Sequence, residues 1–380
     1  PFAGGLATRA RTALRPRVSP ELAVLLVALP ILFVHVEYQP GIELGSGSGS
    51  VSIVLSDLAV LAVALAALRT GVHAGFGGLR AGLPVWLAGG ALLALIGIAT
   101  LHPLASGRDY PFAEHVVTAL KWAEYAALAP AAALLGRRRD DILALVSVVA
   151  GWSVAATFWA LLQFAGLVTA FGLEPVLDRV PSFVGFESFA LLSAAAVCGS
   201  LVALAHGAAT PFERAAAWTG GVSGGLGVVL SGAVSGVLGL GLAAVGILAL
   251  ALVRRELRPA RALAIAGVVV TIAGGTSLMR AGDLERFFEF VGLEQRSAVG
   301  AGEVQSYSQR TVLAYIGLQI FLDHPLLGVG WQGSLDEDGY GPQLAAARAR
   351  FPDEPNRTFP SPNHPWGVHN AYIQALSDLG

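Results

Sequence analysis

Long apolar runs recur along this chain with short breaks between them, and no other feature limits its fold as tightly. Crossing about 30 Å of hydrocarbon takes roughly 20 apolar residues in a helix. Such runs lie near 21–38, 51–68, 82–100, 115–135, 142–168, 189–206, 214–232, 234–253 and 262–279. Inside lipid the backbone must satisfy its own hydrogen bonds, so each run reads as a helix. None alternates as the strands of a membrane barrel do. Composition agrees: 54% of the residues are hydrophobic and 13% charged, against roughly 25% charged in soluble domains. The expected fold class is an all-α polytopic membrane protein, with residues 1–279 forming a bundle of about nine spans.

Arginine placement sets the expected orientation. Arg9, Arg11, Arg15 and Arg17 precede the first span, Arg69 and Arg80 follow the second, and Arg137, Arg138 and Arg139 follow the fourth. Arg214 follows the sixth, and Arg254, Arg255, Arg258 and Arg261 follow the eighth. The alternate connections hold few basic residues, Arg108 and Arg179 among them. The positive-inside rule then puts the N-terminus in the cytoplasm. The first span has no small-residue cleavage site after it and reads as a retained anchor. A net charge of −2 gives no support for nucleic acid as a partner. Cys198, the single cysteine, cannot form an internal disulfide.

On this topology residues 280–368 form a large extracytoplasmic loop. Within it, "SQRTVLAYIGLQIFLDHPLLGVGW" has apolar residues at helical spacing from Val312 to Leu322 and is closed by Pro325 and the glycines 328 and 330. An amphipathic helix is expected near 310–324, lying along the membrane or capping a cavity, with an irregular lid over 336–365. Residues 369–380 begin a further transmembrane helix. Because the chain opens on Pro1 and stops soon after that helix starts, it is expected to be a fragment whose last transmembrane helices are missing.

Few residues offer chemistry. His369 and Asn370 stand where the polar stretch turns apolar, next to a helix N-terminus, which favours neutral imidazole. A neutral histidine there suits proton removal from a hydroxyl; equally, an interfacial histidine is satisfied by water or a loop carbonyl. Arg310 and Arg179 fall on the outer side, where a guanidinium fork can grip phosphate oxygens; salt bridges to Asp323 or Asp178 are the plainer use. Lys121, the only lysine, and Glu124 share one face of the fourth span, as a mutual ion pair or as a site. Asp336 and Asp338 match a metal-binding D-x-D spacing, but a solvated acidic surface fits as well. No Cys/His cluster with zinc spacing occurs, so neither metal nor cofactor is expected.

Taken together, "SQRTVLAYIGLQIFLDHPLLGVGWQG", a variable polar stretch and "HNAYIQALSDLG" resemble the O-antigen ligase and polymerase family of bacterial membrane glycosyltransferases. The likeness is strong over about 70 residues at the C-terminal end; upstream it rests on the number and placement of spans. It implies a GT-C-like helical bundle of around twelve spans in the cytoplasmic membrane, two or three lying beyond Gly380. It implies an inverting transfer or polymerisation of a glycan from a polyprenyl-diphosphate-linked donor to a glycan, lipid or protein hydroxyl, on the outer face. By motif, His369 matches the base and Arg310 a diphosphate-binding arginine; by residue type and position, Arg179 is a second diphosphate candidate, and Asn370, His324, Lys121 and Glu124 are candidates for support. Family members often carry a Ser-Arg-Gly-like turn before the eighth span; here "LSGAVSGVLG" has Val234 in the arginine's place, leaving Arg179 or Arg280 to supply that charge and leaving ligase and polymerase both open. The rival class is a non-enzymatic glycolipid transporter or polysaccharide-assembly protein, which paired broken helices and internal repeats would mark.

Overall fold

The computed structural model describes residues 18–44, 51–107, 110–169, 179–205, 210–253, 259–281, 306–364 and 366–380. It is almost wholly helical. Helices α1 (Pro20–Leu32), α2 (Leu55–Ala74), α3 (Leu83–Ala105), α4 (Phe112–Ala126), α5 (Leu128–Leu135), α6 (Arg139–Phe164) and α7 (Phe186–Ala205) are followed by α8 (Pro211–Ser231), α9 (Val234–Val253) and α10 (Pro259–Met279). The C-terminal segment holds α11 (Ser306–Asp323), α12 (Glu337–Tyr340), α13 (Leu344–Arg350) and α14 (Ala371–Leu379). Among the described residues, six helices are long and apolar enough to cross a membrane. The basic residues 9–17 and 254–258, and Asp178, lie outside the described residues.

Three boundaries differ from the sequence expectation, each for a local reason. The first helix stops at Leu32 rather than near 38. Past it, Val36–Tyr38 forms a 3₁₀ turn, and the Gln39 amide donates to the Val34 carbonyl at 2.7 Å. The Gln39 Oε1 then accepts the Ser56 N–H at 2.7 Å, so one side chain closes α1 and opens α2. Residues 51–54, expected to be helical, instead form strand β2 (Val51–Val54), which pairs with β1 (Gly41–Leu44). The run 115–135 is two helices broken at Ala127. Pro130 explains the break: it has no N–H to give to the Ala126 carbonyl, and its ring crowds that carbonyl.

The chain divides into two compact units. The first holds α1, α2 and α5–α10. Leu22, Leu25, Val63 and Leu134 form one core there, and Val197, Val228, Leu240 and Ile272 another. Between these, α8 packs backbone to backbone on its neighbours because it is rich in glycine. A Cβ on Gly224 would sit 2.5 Å from the Ser193 carbonyl oxygen, and one on Gly220 2.7 Å from the Ala150 Cβ. Thr210 caps α8 by accepting the Glu213 N–H at 3.1 Å, and Gly232, left-handed at φ 58°, ends it. A turn at residues 231–233 therefore separates α8 from α9.

The second unit holds α3, α4 and α11–α14. Its lid-like stretch is more ordered than its composition suggests. The buried face of α11 (Val312, Ile316, Ile320) packs with Tyr340, Ala347 and Phe359 into a small core. A second cluster joins Ile96 and Ala99 of α3 to Trp331 and Leu379.

Candidate functional site

The segment after α11 is built to cross the end of α14. The helix stops at Asp323, and Gly328, left-handed at φ 59°, donates its N–H to the His324 carbonyl at 3.1 Å. The backbone then runs against α14: Val329 N–H donates to the Ser377 carbonyl at 2.9 Å, and Gly330 N–H to the Asp378 carbonyl at 3.3 Å. A side chain at Gly328 would collide with that main chain. Asp378, with 0% of its surface exposed, completes the clasp. Its carboxylate accepts the Gln332 and Ser334 N–H groups, each at 3.1 Å. The glycine-rich motif is thus a docking device.

Helix α4 holds the same segment from its other side. Tyr110, just before it, donates its hydroxyl to the Trp331 carbonyl at 2.7 Å. The Trp331 indole N–H donates to Thr118 at 2.9 Å, and the buried His115 imidazole lies 3.0 Å from Asp336. Burial, followed by the negative charges of Asp336 and Asp378, pushes the Tyr110 phenol well above its ordinary value. Asp336 is therefore a partner of His115, and among the described residues no group of three or more His, Cys, Asp or Glu side chains could hold a metal. Sequence reasoning missed this cluster because its pairs stand 213 or 221 residues apart.

Fixed in this way, α14 presents His369. Asn370 is its N-cap: the side-chain oxygen accepts the N–H of Tyr372 at 3.0 Å and of Ile373 at 3.2 Å. The histidine thus sits one residue before the helix cap, with part of its ring open to solvent. Gly317 of α11 makes room for this segment, since a Cβ there would lie 2.8 Å from Val368 and from Ile373. The approach brings the Arg310 charge near His369. Partial burial of the imidazole and the Arg310 charge both lower its basicity below the ordinary 6.5, burial being the larger cause. Arg310 is exposed, and among the described residues no hydrogen bond or ion pair ties it down. Neutral imidazole beside a guanidinium is suited to accept a proton next to a bound anion.

The remaining candidates lie elsewhere. Arg179, in the first unit, donates Nε to the Ser231 carbonyl at 3.1 Å, meets Glu187 at 3.3 Å and packs over Phe186. Arg280 donates to the neighbouring Gly232 carbonyl at 3.2 Å. Two guanidinium groups therefore converge on the turn at Ser231 and Gly232, just before Val234 opens α9. Lys121 donates to the Ser52 carbonyl at 3.1 Å, with Glu124 one turn along α4, and His324 belongs to the turn after α11. Sequence reasoning also passed over His364 and Trp366. Their rings, 6.1 Å apart and nearly parallel, continue to His369, 6.3 Å beyond the indole.

A family profile described as O-antigen ligase matches residues 219–380, a stretch that contains Arg310, the glycine-rich clasp and His369. No curated protein and no solved structure matches the chain. With its long apolar helices, the chain is a multi-pass membrane protein whose C-terminal part, residues 219–380, is similar to the O-antigen ligase family.

Proposed function

We propose that the protein moves a glycan from a polyprenyl-diphosphate carrier to a hydroxyl acceptor at the outer face of the bacterial cytoplasmic membrane. On this reading residues 1–279 are the transmembrane bundle, with a cytoplasmic N-terminus, and residues 280–368 are the extracytoplasmic loop. The single observation that carries it is the pairing of a partly open imidazole of lowered basicity, His369, with the guanidinium of Arg310, which no hydrogen bond or ion pair ties down among the described residues. The acceptor oxygen attacks the anomeric carbon as its proton passes to the His369 imidazole. The bond from that carbon to the phosphate oxygen breaks, and the polyprenyl diphosphate leaves with the electron pair. Arg310 then neutralises the charge that grows on the leaving oxygens, where a preorganised cation is worth most. Arg179, a second candidate for a phosphate contact by residue type, is tied to the Ser231 carbonyl and to Glu187 within its own unit. Asn370 fixes the histidine by capping the helix, His324 shapes the turn that leads into the clasp, and Lys121 and Glu124 support the helix that holds it.

The test is transfer by the full-length protein in proteoliposomes, using lipid-linked glycan extracted from a strain lacking it. Arg310→Ala should lower kcat by about a hundredfold, as loss of one charge-stabilising donor does elsewhere, and Arg310→Lys by less. Equal rates for wild type and Arg310→Ala would remove Arg310 from the reaction.

A further inference from the structure

The loop before His369 carries a feature that base and phosphate chemistry do not use. Of the two tryptophans in the C-terminal segment, Trp331 is buried at 6% exposure while Trp366 keeps 37% of its surface open. The described residues around it are tied down. Ser361 and His364 exchange backbone hydrogen bonds at 3.1 and 2.9 Å, and the Trp366 N–H donates to the His364 carbonyl at 2.8 Å. On the far side a Cβ on Gly367 would lie 2.6 Å from Leu335, and Val368 is buried against α11. A partly open indole is therefore carried on a tethered backbone. His364 lies at 19° to its plane and His369 meets it at 67°.

An indole face carries negative charge density, and the ring C–H groups of a pyranose carry the complementary positive edge. A sugar on that face is gripped without needing a particular hydroxyl pattern. Its own hydroxyls then project sideways, toward the imidazole whose centroid is 6.3 Å from the indole. Resting on the transferase reading above, we infer that Trp366 is the platform for the acceptor, and that the acceptor hydroxyl belongs to a pyranose ring rather than to a serine or threonine of a protein. The platform positions the sugar, and His369 takes its proton. His364, exposed beside it, edges the platform.

The test uses full-length protein in lipid nanodiscs labelled with 5-fluorotryptophan, with the Trp366 fluorine signal assigned from its loss in Trp366→Phe. Methyl glucoside, galactoside, mannoside and N-acetylglucosaminide are titrated in, and glycerol and N-acetylserine amide serve as controls. At least one pyranoside should shift the Trp366 signal, and neither control should. The same shift should persist in His369→Ala, because stacking needs no base. Silence toward all four pyranosides, or an equal response to the serine amide, overturns the platform. In transfer assays Trp366→Ala should raise KM for the acceptor about five- to tenfold with kcat within about threefold, and Trp366→Phe should recover most of the loss. A tryptophan that merely anchors the loop in the interface would leave KM unmoved, and that result also overturns the proposal. If His369→Ala keeps both the shift and full turnover, the base assignment fails while the platform stands.

Discussion

Replacing Asp378 by alanine should loosen the clasp most at two identifiable amides. The carboxylate is completely buried and accepts the Gln332 and Ser334 N–H groups at 3.1 Å. Alanine offers neither acceptor, and a buried donor left without a partner costs about 1–3 kcal/mol. Two such donors give roughly 2–6 kcal/mol, offset in part because a buried charge is removed as well. A net local loss of about 3 kcal/mol corresponds to roughly a hundredfold faster amide exchange. The backbone bonds from Val329 to the Ser377 carbonyl and from Gly330 to the Asp378 carbonyl do not involve the side chain, so those amides should keep their protection. Hydrogen exchange read by mass spectrometry in nanodiscs, with overlapping peptides over 325–340, resolves the two sets, and peptides from α8 serve as an internal reference. Asp378→Asn keeps one acceptor and should fall between. Exchange at Gln332 and Ser334 within about threefold of wild type would show that the carboxylate does not hold this loop.

Three further outcomes follow from the same geometry. Transfer by wild type should fall only as pH drops through a value below 6.5, since neutral His369 is the active form and its basicity is lowered; Arg310→Ala removes one cause of that lowering, so a pH–rate profile should show its acidic limb displaced upward. Gly317→Val would press on Val368 and Ile373, both 2.8 Å from an added Cβ; overpacking of about 1–3 kcal/mol should appear as a lower melting temperature, with transfer falling further than the melting shift explains. In the bundle, Gly224→Ala meets the Ser193 carbonyl oxygen at 2.5 Å, while Gly239→Ala has nothing within 4 Å; melting in detergent should drop by several degrees for the first and stay unchanged for the second.

The helical nature of the chain was plain from its apolar runs because length and composition decide that outcome in lipid. Boundaries were less legible. Gln39, a single polar side chain that closes one helix and opens the next, carries no hydropathy signal, and the strand at 51–54 is visible only once its partner at 41–44 is in place. The fourth run was read as one span on its hydropathy, which does not register the break that Pro130 imposes. The His369–Asn370 pair and Arg310 stood out by residue type and position. What the pair does locally was hidden: Asn370 is a helix cap, a role set by where the helix starts. The His115–Asp336 contact and the Asp378 clasp join distant parts of the chain, and no spacing rule reaches that far. Residues 336–364 read as irregular because their order comes from three buried side chains, Tyr340, Ala347 and Phe359, packed on α11, and not from periodicity.

The central claim is that His369 takes the proton in a glycan transfer from a lipid carrier, and it is tested most directly in the host. The full-length gene is deleted and restored as wild type or as His369→Ala at equal membrane abundance, and lipid-linked glycans are quantified by mass spectrometry. A polyprenyl-linked intermediate that the wild type clears and His369→Ala leaves to accumulate is the expected result. Equal clearance by both versions would contradict the claim, and a deletion that accumulates nothing would contradict the transferase reading as a whole.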